Sequence, residues 1–258
     1  VSGTILGMTT DLFILTGASR GMGLAMAEQL VSPQHTLLCI SRHTNPALAT
    51  LASNAKCQLE QQTLDLQSPV VAASDLTQWL NRAPKQAFSS ATLINNAGVI
   101  PSIAPLYASK PTELSNALRV GLEAPMLLTS AFLKATQDWG VPRRVLNISS
   151  GLGRRAMASQ SAYCAAKAGM DHFTRCLALD EALQANGAKV CSLAPGVIDT
   201  DMQVQLRSAI ASDFPDQENF SQLKSGGLLT SPSDAATRVL AYLFRPDFGA
   251  TPVADVRD

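Results

Sequence analysis

The 258-residue chain alternates short apolar runs with longer stretches in which apolar residues recur every three or four positions. Asp11 to Thr16 reads Asp-Leu-Phe-Ile-Leu-Thr, a run too short for a helix and closed by glycines, which predicts a buried strand. Leu24, Ala27 and Leu30, with Met26 beside them, follow at helical spacing. Thr36 to Ser41, Gln58 to Leu64, Ala91 to Ile94, Arg144 to Ile148 and Ala188 to Leu193 repeat the strand signal, and Thr251 to Val256 predicts a last edge strand. Helical stretches lie between them at 47–55, 68–82, 112–135, 161–185 and 233–243. The helix from Thr112 carries Gly121 and Pro125, and an internal proline, which lacks an N–H and crowds the turn before it, predicts a kink. Asp199 to Leu229 reads as a loop-rich segment, long enough to act as a lid.

This alternation runs from Asp11 to the end with no repeat and no break in composition. It predicts an α/β fold: one doubly wound domain over residues 11–258, a parallel seven-stranded sheet with helices on both faces, after an N-terminal extension at 1–10. Met8 is a candidate natural start within that extension. In such sheets ligands bind beyond the carboxyl ends of the strands. Polar clusters stand at those ends here: Gly17 to Gly23, Ser41-Arg42, Asp65, Asn95 to Gly98, Ser149-Ser150 and Pro195-Gly196.

Composition narrows the choice. Hydrophobic residues make up 46% and charged residues 16%, with a formal net charge of zero, which speaks for a large core and against a nucleic-acid or anionic-membrane surface. No apolar run is long enough to span a bilayer, and the first residues lack the basic segment and apolar stretch of a signal peptide. Cys39, Cys57, Cys164, Cys176 and Cys191 are scattered, which predicts a reduced, cytoplasmic chain with no metal site.

Two motifs carry chemistry. Gly17, Gly21 and Gly23 follow a strand and open a helix; there the backbone can approach a pyrophosphate and the helix N-terminus can bind it. The second strand ends at Arg42 and not at a carboxylate, and Arg20 lies inside the glycine turn, so the cofactor expected is NADP(H) over NAD(H). Tyr163 and Lys167 are four apart, on one face of a helix, and an ammonium beside a phenol favours loss of its proton. With the hydroxyl of Ser150 they make a candidate acid–base site for a carbonyl/alcohol pair.

Together these residues resemble the short-chain dehydrogenase/reductase family. The resemblance rests on Thr16-Gly-Ala-Ser-Arg-Gly21-Met-Gly23, Asn95-Asn-Ala-Gly98, Ser150, Tyr163-x-x-x-Lys167 and Pro195-Gly-x-x-x-Thr200. Within the family, 124–130, 147–153 and 194–202 are most similar to bacterial benzil reductases and sepiapterin-reductase-like enzymes. The resemblance implies a Rossmann-type domain, with Ser150 polarising the carbonyl, Tyr163 as general acid and Lys167 lowering its pKa while holding the nicotinamide ribose. It implies cofactor contacts at Gly17, Ser19, Arg20, Gly21, Met22, Gly23 and Arg42, at Asp65 and Leu66 for the adenine, and at Asn96, Ala97 and Gly98 for the adenosine side. Pro195, Val197 and Thr200 would fix the nicotinamide amide. It also implies a homodimer or tetramer.

One departure stands out: Gly121 occupies the position where the family usually carries an Asn that anchors a water behind the lysine. A water filling the vacated space is one explanation, and simple loss of the relay is the other. On the substrate side, Met202, Val204, Leu206, Phe214 and Phe220 fit either an apolar lid over a bulky ketone or ordinary packing, and Arg207 and Lys224 are candidate partners for an acidic substrate. The expected function is an NADPH-dependent reductase of a ketone or benzil-like diketone. The alternatives are a sepiapterin-type or other short-chain alcohol dehydrogenase, or a non-catalytic NADP-binding regulator.

Overall fold

The computed structural model describes residues 9–258. The expected extension therefore lies mostly outside the described residues, Met8 included, and Thr10 already belongs to the first strand. The elements alternate as expected: β1 (Thr10–Thr16), α1 (Gly21–Gln29), β2 (His35–Ser41), α2 (Pro46–Asn54), β3 (Gln58–Thr63), α3 (Pro69–Arg82) and β4 (Phe88–Asn95). Then come α4 (Pro111–Leu118), α5 (Ala124–Thr136), β5 (Arg143–Ile148), α6 (Ser161–Ala182), β6 (Lys189–Ala194), α7 (Asp201–Arg207), α8 (Gln217–Ser225), α9 (Pro232–Leu243) and β7 (Val253–Asp255). The seven strands form one parallel sheet in the order β3-β2-β1-β4-β5-β6-β7. The order reverses between β1 and β4, which opens a crevice at their carboxyl ends.

Side-chain alternation explains why both faces are covered. Phe13 and Leu15 of β1, with Leu37 and Cys39 of β2, join the core under α1, α2 and α9. Leu12 and Ile14, with Leu38 and Ile40, join the opposite core under α3, α5 and α6. Each such side chain contributes about 1.5–3 kcal/mol when fully buried, so the interior strands read as continuous apolar runs. The outer strand β3 (Gln-Leu-Glu-Gln-Gln-Thr) is polar, as an unpaired edge needs to be to avoid pairing with other chains. Proline starts α2, α3, α4 and α9, where its missing N–H has no helical partner in any case. Asn45 and Ser231 cap α2 and α9 by accepting from the N–H groups of Leu48 and Asp234.

Two expectations need correction. The segment 199–229 is not simply loop: it holds the short helices α7 and α8. Their apolar residues are separated by polar runs, which masks the helical period. The long helix carrying Pro125 does not bend at an ordinary kink. It passes through a turn of π-helix at Arg119–Glu123, in which the Ala124 N–H reaches back five residues to the Arg119 carbonyl. The wider turn sits just before the residue that has no N–H to give.

Gly121 lies in that turn. A Cβ built on it would be 3.0 Å from the Cβ of Ala166, on the helix that carries Tyr163 and Lys167. Helix α6 approaches closely at this point, and that close approach is a packing reason for a residue without a side chain. Gly121→Asn is expected to destabilise the fold by about 1–3 kcal/mol through overpacking and to leave turnover no faster. Urea unfolding and steady-state kinetics check this; a variant as stable as the parent and faster would sink it.

Candidate active site

The glycine turn is held from two sides. Thr16 Oγ1 accepts from the N–H groups of Asn96 and Ala97, both at 3.0 Å. The Asn96 amide donates to the carbonyls of Thr16 and Gly17 at 3.0 and 3.3 Å. Asn45 donates to the Ser19 carbonyl at 3.2 Å from the start of α2. Gly17 has φ of 72°, a left-handed conformation that a side chain would strain. A Cβ on Gly23 would fall 2.1 Å from the Gly17 carbonyl oxygen, so nothing larger fits.

This turn fits a dinucleotide pyrophosphate. Helix α1 begins with no side-chain cap and no acidic residue in its first turn, so its leading N–H groups remain free to bind an anion. Met22 turns its side chain into the core, so only its backbone faces a ligand. Arg20 is not free: its guanidinium meets the Asp201 carboxylate at 2.5 Å, both side chains exposed. Arg42 is exposed beyond β2 and makes no ion pair among the described residues. Asp65 is exposed and its carboxylate accepts from the Gln67 N–H, while the Leu66 side chain is buried in the core and leaves only backbone to an adenine.

Further along the same edge lies a cavity of about 390 Å³. Ser150, Tyr163 and Lys167 line it together with Asn96, Gly98, Pro195, Val197 and Thr200. A Cβ on Gly98 would be 3.9 Å from Lys167 Nζ, and one on Gly21 would be 4.0 Å from Thr200 Cγ2. The cofactor turn and the acid–base trio therefore share one edge of the sheet. Ala97 stays outside the cavity and packs on the core. The sequence reading missed Ile100, Leu152, Arg155, Gln203, Asp255 and Arg257, which also line the cavity. Asp255 had a signal in the expected edge strand, since the carboxyl end of any strand in this sheet faces the crevice.

The electrostatics differ from the local expectation. Burial pushes the Tyr163 phenol up to about 12, with the Ser150 hydroxyl pulling it back in part. Lys167 Nζ is 5.7 Å from the centre of the Tyr163 ring and donates to the Ile148 carbonyl at 2.6 Å. Burial pushes Lys167 down to about 8, and Asp171 opposes that fall. Desolvation is thus the larger influence on the phenol, ahead of the Ser150 hydroxyl. Ser150 also caps the turn after β5 by accepting from the Leu152 N–H at 3.1 Å.

On the far wall, Met202, Leu206 and Phe220 face the cavity. Phe214 is wholly buried and stacks on Phe220 with ring centres 5.7 Å apart, while Val204 points outward. The two candidate cations for an acidic substrate are already matched: Lys224 and Arg207 both pair with Asp199. Among the described residues no helix is long and apolar enough to cross a membrane.

Comparison with known proteins agrees with this geometry. The model of the short chain dehydrogenase family matches residues 11–211. A benzil reductase ((S)-benzoin forming) of Bacillus cereus is 36% identical over 235 residues, covering 91% of this chain and 94% of its own. A sepiapterin reductase of Meriones unguiculatus is 31% identical over 272 residues, covering 98% of each. The crystal structure of a short-chain dehydrogenase/reductase from Burkholderia vietnamiensis is 33% identical, with a TM-score of 0.65 over 97% of this chain and 99% of that one. A seven-stranded parallel sheet, a glycine turn and a serine, tyrosine and lysine on one cavity are thus joined to a sequence match over most of the chain: the protein belongs to the short-chain dehydrogenase family.

Proposed function

We propose that the protein is an NADPH-dependent carbonyl reductase acting on a bulky ketone or benzil-like diketone, with Tyr163 as the general acid. The observation that carries this reading is the convergence of Ser150, Tyr163 and Lys167 on one cavity that also presents the apolar side chains of Ile100, Leu152, Met202, Leu206 and Phe220. Its volume of about 390 Å³ is of the size that encloses a small organic ligand. The relatedness to benzil reductase supports the same class of substrate.

A reduced nicotinamide, when bound, supplies the hydride. The residues of this chain do the rest. The N–H groups at the start of α1 and the glycine turn hold the pyrophosphate, and Arg42 takes the 2′-phosphate. Asp65, the Leu66 backbone and Gly98 border the adenosine side, and Pro195, Val197 and Thr200 the nicotinamide side. Ser150 donates to the carbonyl oxygen and polarises it. Tyr163, protonated at neutral pH, gives its proton to that oxygen. Lys167 holds the ribose hydroxyls and stabilises the phenolate left behind. Residues 199–229 close over the substrate as part of one oxidoreductase domain at 11–258. The exposed Leu118 and Met126 support a homo-oligomer through α4 and α5, and the location proposed is the cytoplasm.

A second reading has one observation of its own. The Asp255 carboxylate at the cavity wall suits a substrate with N–H donors, as in a sepiapterin-type ketone, though Arg257 already pairs with it at 2.7 Å. A panel of aromatic diketones and pterin ketones, run with NADPH and NADH in parallel, decides between them. No turnover of any carbonyl alongside firm NADPH binding would favour a regulator.

Tyr163→Phe is expected to lower kcat by about 10²–10⁴ while leaving NADPH affinity within a few-fold, measured by turnover and fluorescence titration. Arg42→Ala is expected to weaken NADPH binding about 10–100-fold and NADH binding far less, as loss of charge-assisted hydrogen bonds to one phosphate predicts. Equal losses for both cofactors would refute the role given to Arg42. For pH, Tyr163 stays protonated to about 12, so it sets no limit near neutrality. Lys167 loses its charge near 8, so kcat/KM for reduction should be level below that pH and fall above it.

A further inference from the structure

One buried carboxylate beneath the site has no part in the chemistry above. Asp171 follows Lys167 by four residues and Tyr163 by eight, so all three lie on one face of α6. It is 1% exposed, a condition in which an aspartate is seldom found without partners. Its Oδ1 accepts from Ser149 Oγ at 2.6 Å and from Ser192 Oγ at 2.7 Å. Its Oδ2 accepts no hydrogen bond and faces Arg154 Nε at 3.4 Å. A Cβ on Gly153 would come within 2.9 Å of that oxygen, so the turn after β5 is shaped to admit it. The end of β5, the middle of β6 and the turn after β5 thus all converge on one side chain of α6.

Lys167 has the complementary problem. It is 4% exposed, and its hydrogen-bond partner among the described residues is a neutral carbonyl, that of Ile148. A carbonyl dipole orients an ammonium without neutralising it. We propose that Asp171 is a positioning residue that acts through Lys167, keeping it an ammonium and directed at the Ile148 carbonyl beside Tyr163. The inference rests on the reading of this site as a carbonyl reductase.

The other groups facing Asp171 bear on the sign. Ser149 and Ser192 are neutral donors. Cys191 on β6 is held neutral, since burial pushes its thiol up to about 12, and the Tyr242 hydroxyl lies behind it. Arg154, from the turn after β5, is the opposing cation; it also donates to the Ala254 carbonyl at 2.6 Å and lies near Asp255 of β7. Removing Asp171 takes an anion away from Lys167, and removing Arg154 takes a cation away from the pair. The two changes must therefore move the lysine titration in opposite directions. Damage to packing alone has no reason to do so.

The test follows kcat/KM for NADPH-dependent diketone reduction, and the NADPH dissociation constant by nicotinamide fluorescence, from pH 6 to 10. Asp171→Asn, nearly isosteric, is expected to move the alkaline limb down by about one pH unit, lowering kcat/KM about threefold at pH 7.5 and little at pH 6. Arg154→Gln is expected to move the limb up. A drop of equal size at every pH in Asp171→Asn, with unchanged limb, assigns Asp171 a structural role and overturns the proposal. If Asp171→Asn does not fold, Arg154→Gln decides alone: a limb moved upward supports the proposal and an unmoved one overturns it. If the wild-type protein reduces no carbonyl but its NADPH affinity shows the limb and the variants shift it, the reductase reading fails and the role of Asp171 stands. NADPH binding without any limb in the wild-type protein overturns the role of Asp171.

Discussion

The burial of an ammonium at Lys167 is the constraint on which the rest of the site depends. Taking a cation out of water costs several kcal/mol even after relaxation, and only close polar partners offset it. Those partners come from the ends of β5 and β6: the Ile148 carbonyl directly, and Asp171 with its two serine hydroxyls one turn away. Helix α6 can satisfy them only if the face bearing Tyr163, Lys167 and Asp171 is turned to the sheet. A second polar chain fixes the same rotation farther down. The Asn95 amide donates to Thr129 Oγ1 and to Asn147 Oδ1, and the Asn147 amide donates to Thr174 Oγ1. Asn147 and Thr174 are fully buried, so a slip of α6 would break the bond between them and leave its groups unpaired at about 1–3 kcal/mol each.

The same economy of polar groups shapes the cofactor side. Thr16 ends β1 and Asn96 follows β4, and their mutual hydrogen bonds close the crevice at its base where the strand order reverses. Asn96 is thereby occupied in supporting the glycine turn. The leading N–H groups of α1 are left without a side-chain cap, which suits the turn to the phosphate proposed for it. Arg20, which looks in sequence like a second phosphate ligand, is matched by Asp201 from α7 across 181 positions of chain.

What was legible in the sequence follows from range of interaction. The strands were readable because each interior strand buries both faces, and the polar punctuation at their carboxyl ends marked the crevice before any coordinates. Ser150, Tyr163 and Lys167 were readable from their residue types and positions at those ends. The reason for Gly121 was not, because it lies in Ala166, on a different helix. The helices α7 and α8 were hidden because only one of their faces packs, around Leu206, Phe214 and Phe220. The desolvation of Tyr163 is hidden for a related reason: spacing reveals the ammonium one turn away, whereas desolvation depends on everything packed around the phenol.

Charge at the cavity bears on what it can accept. Arg207 and Lys224 share Asp199, Arg257 pairs with Asp255, and Arg20 pairs with Asp201, so four cations near the segment after β6 already have carboxylate partners. Arg155 lines the cavity without an ion pair among the described residues, but it is exposed, and a hydrated cation at a rim adds little to binding. An anionic substrate would have to break one of these pairs or forgo a partner. A neutral carbonyl compound needs only the hydroxyls of Ser150 and Tyr163 at its oxygen and apolar contact elsewhere, which Leu152, Met202, Leu206 and Phe220 provide. The arrangement of charges therefore supports the neutral ketone proposed above.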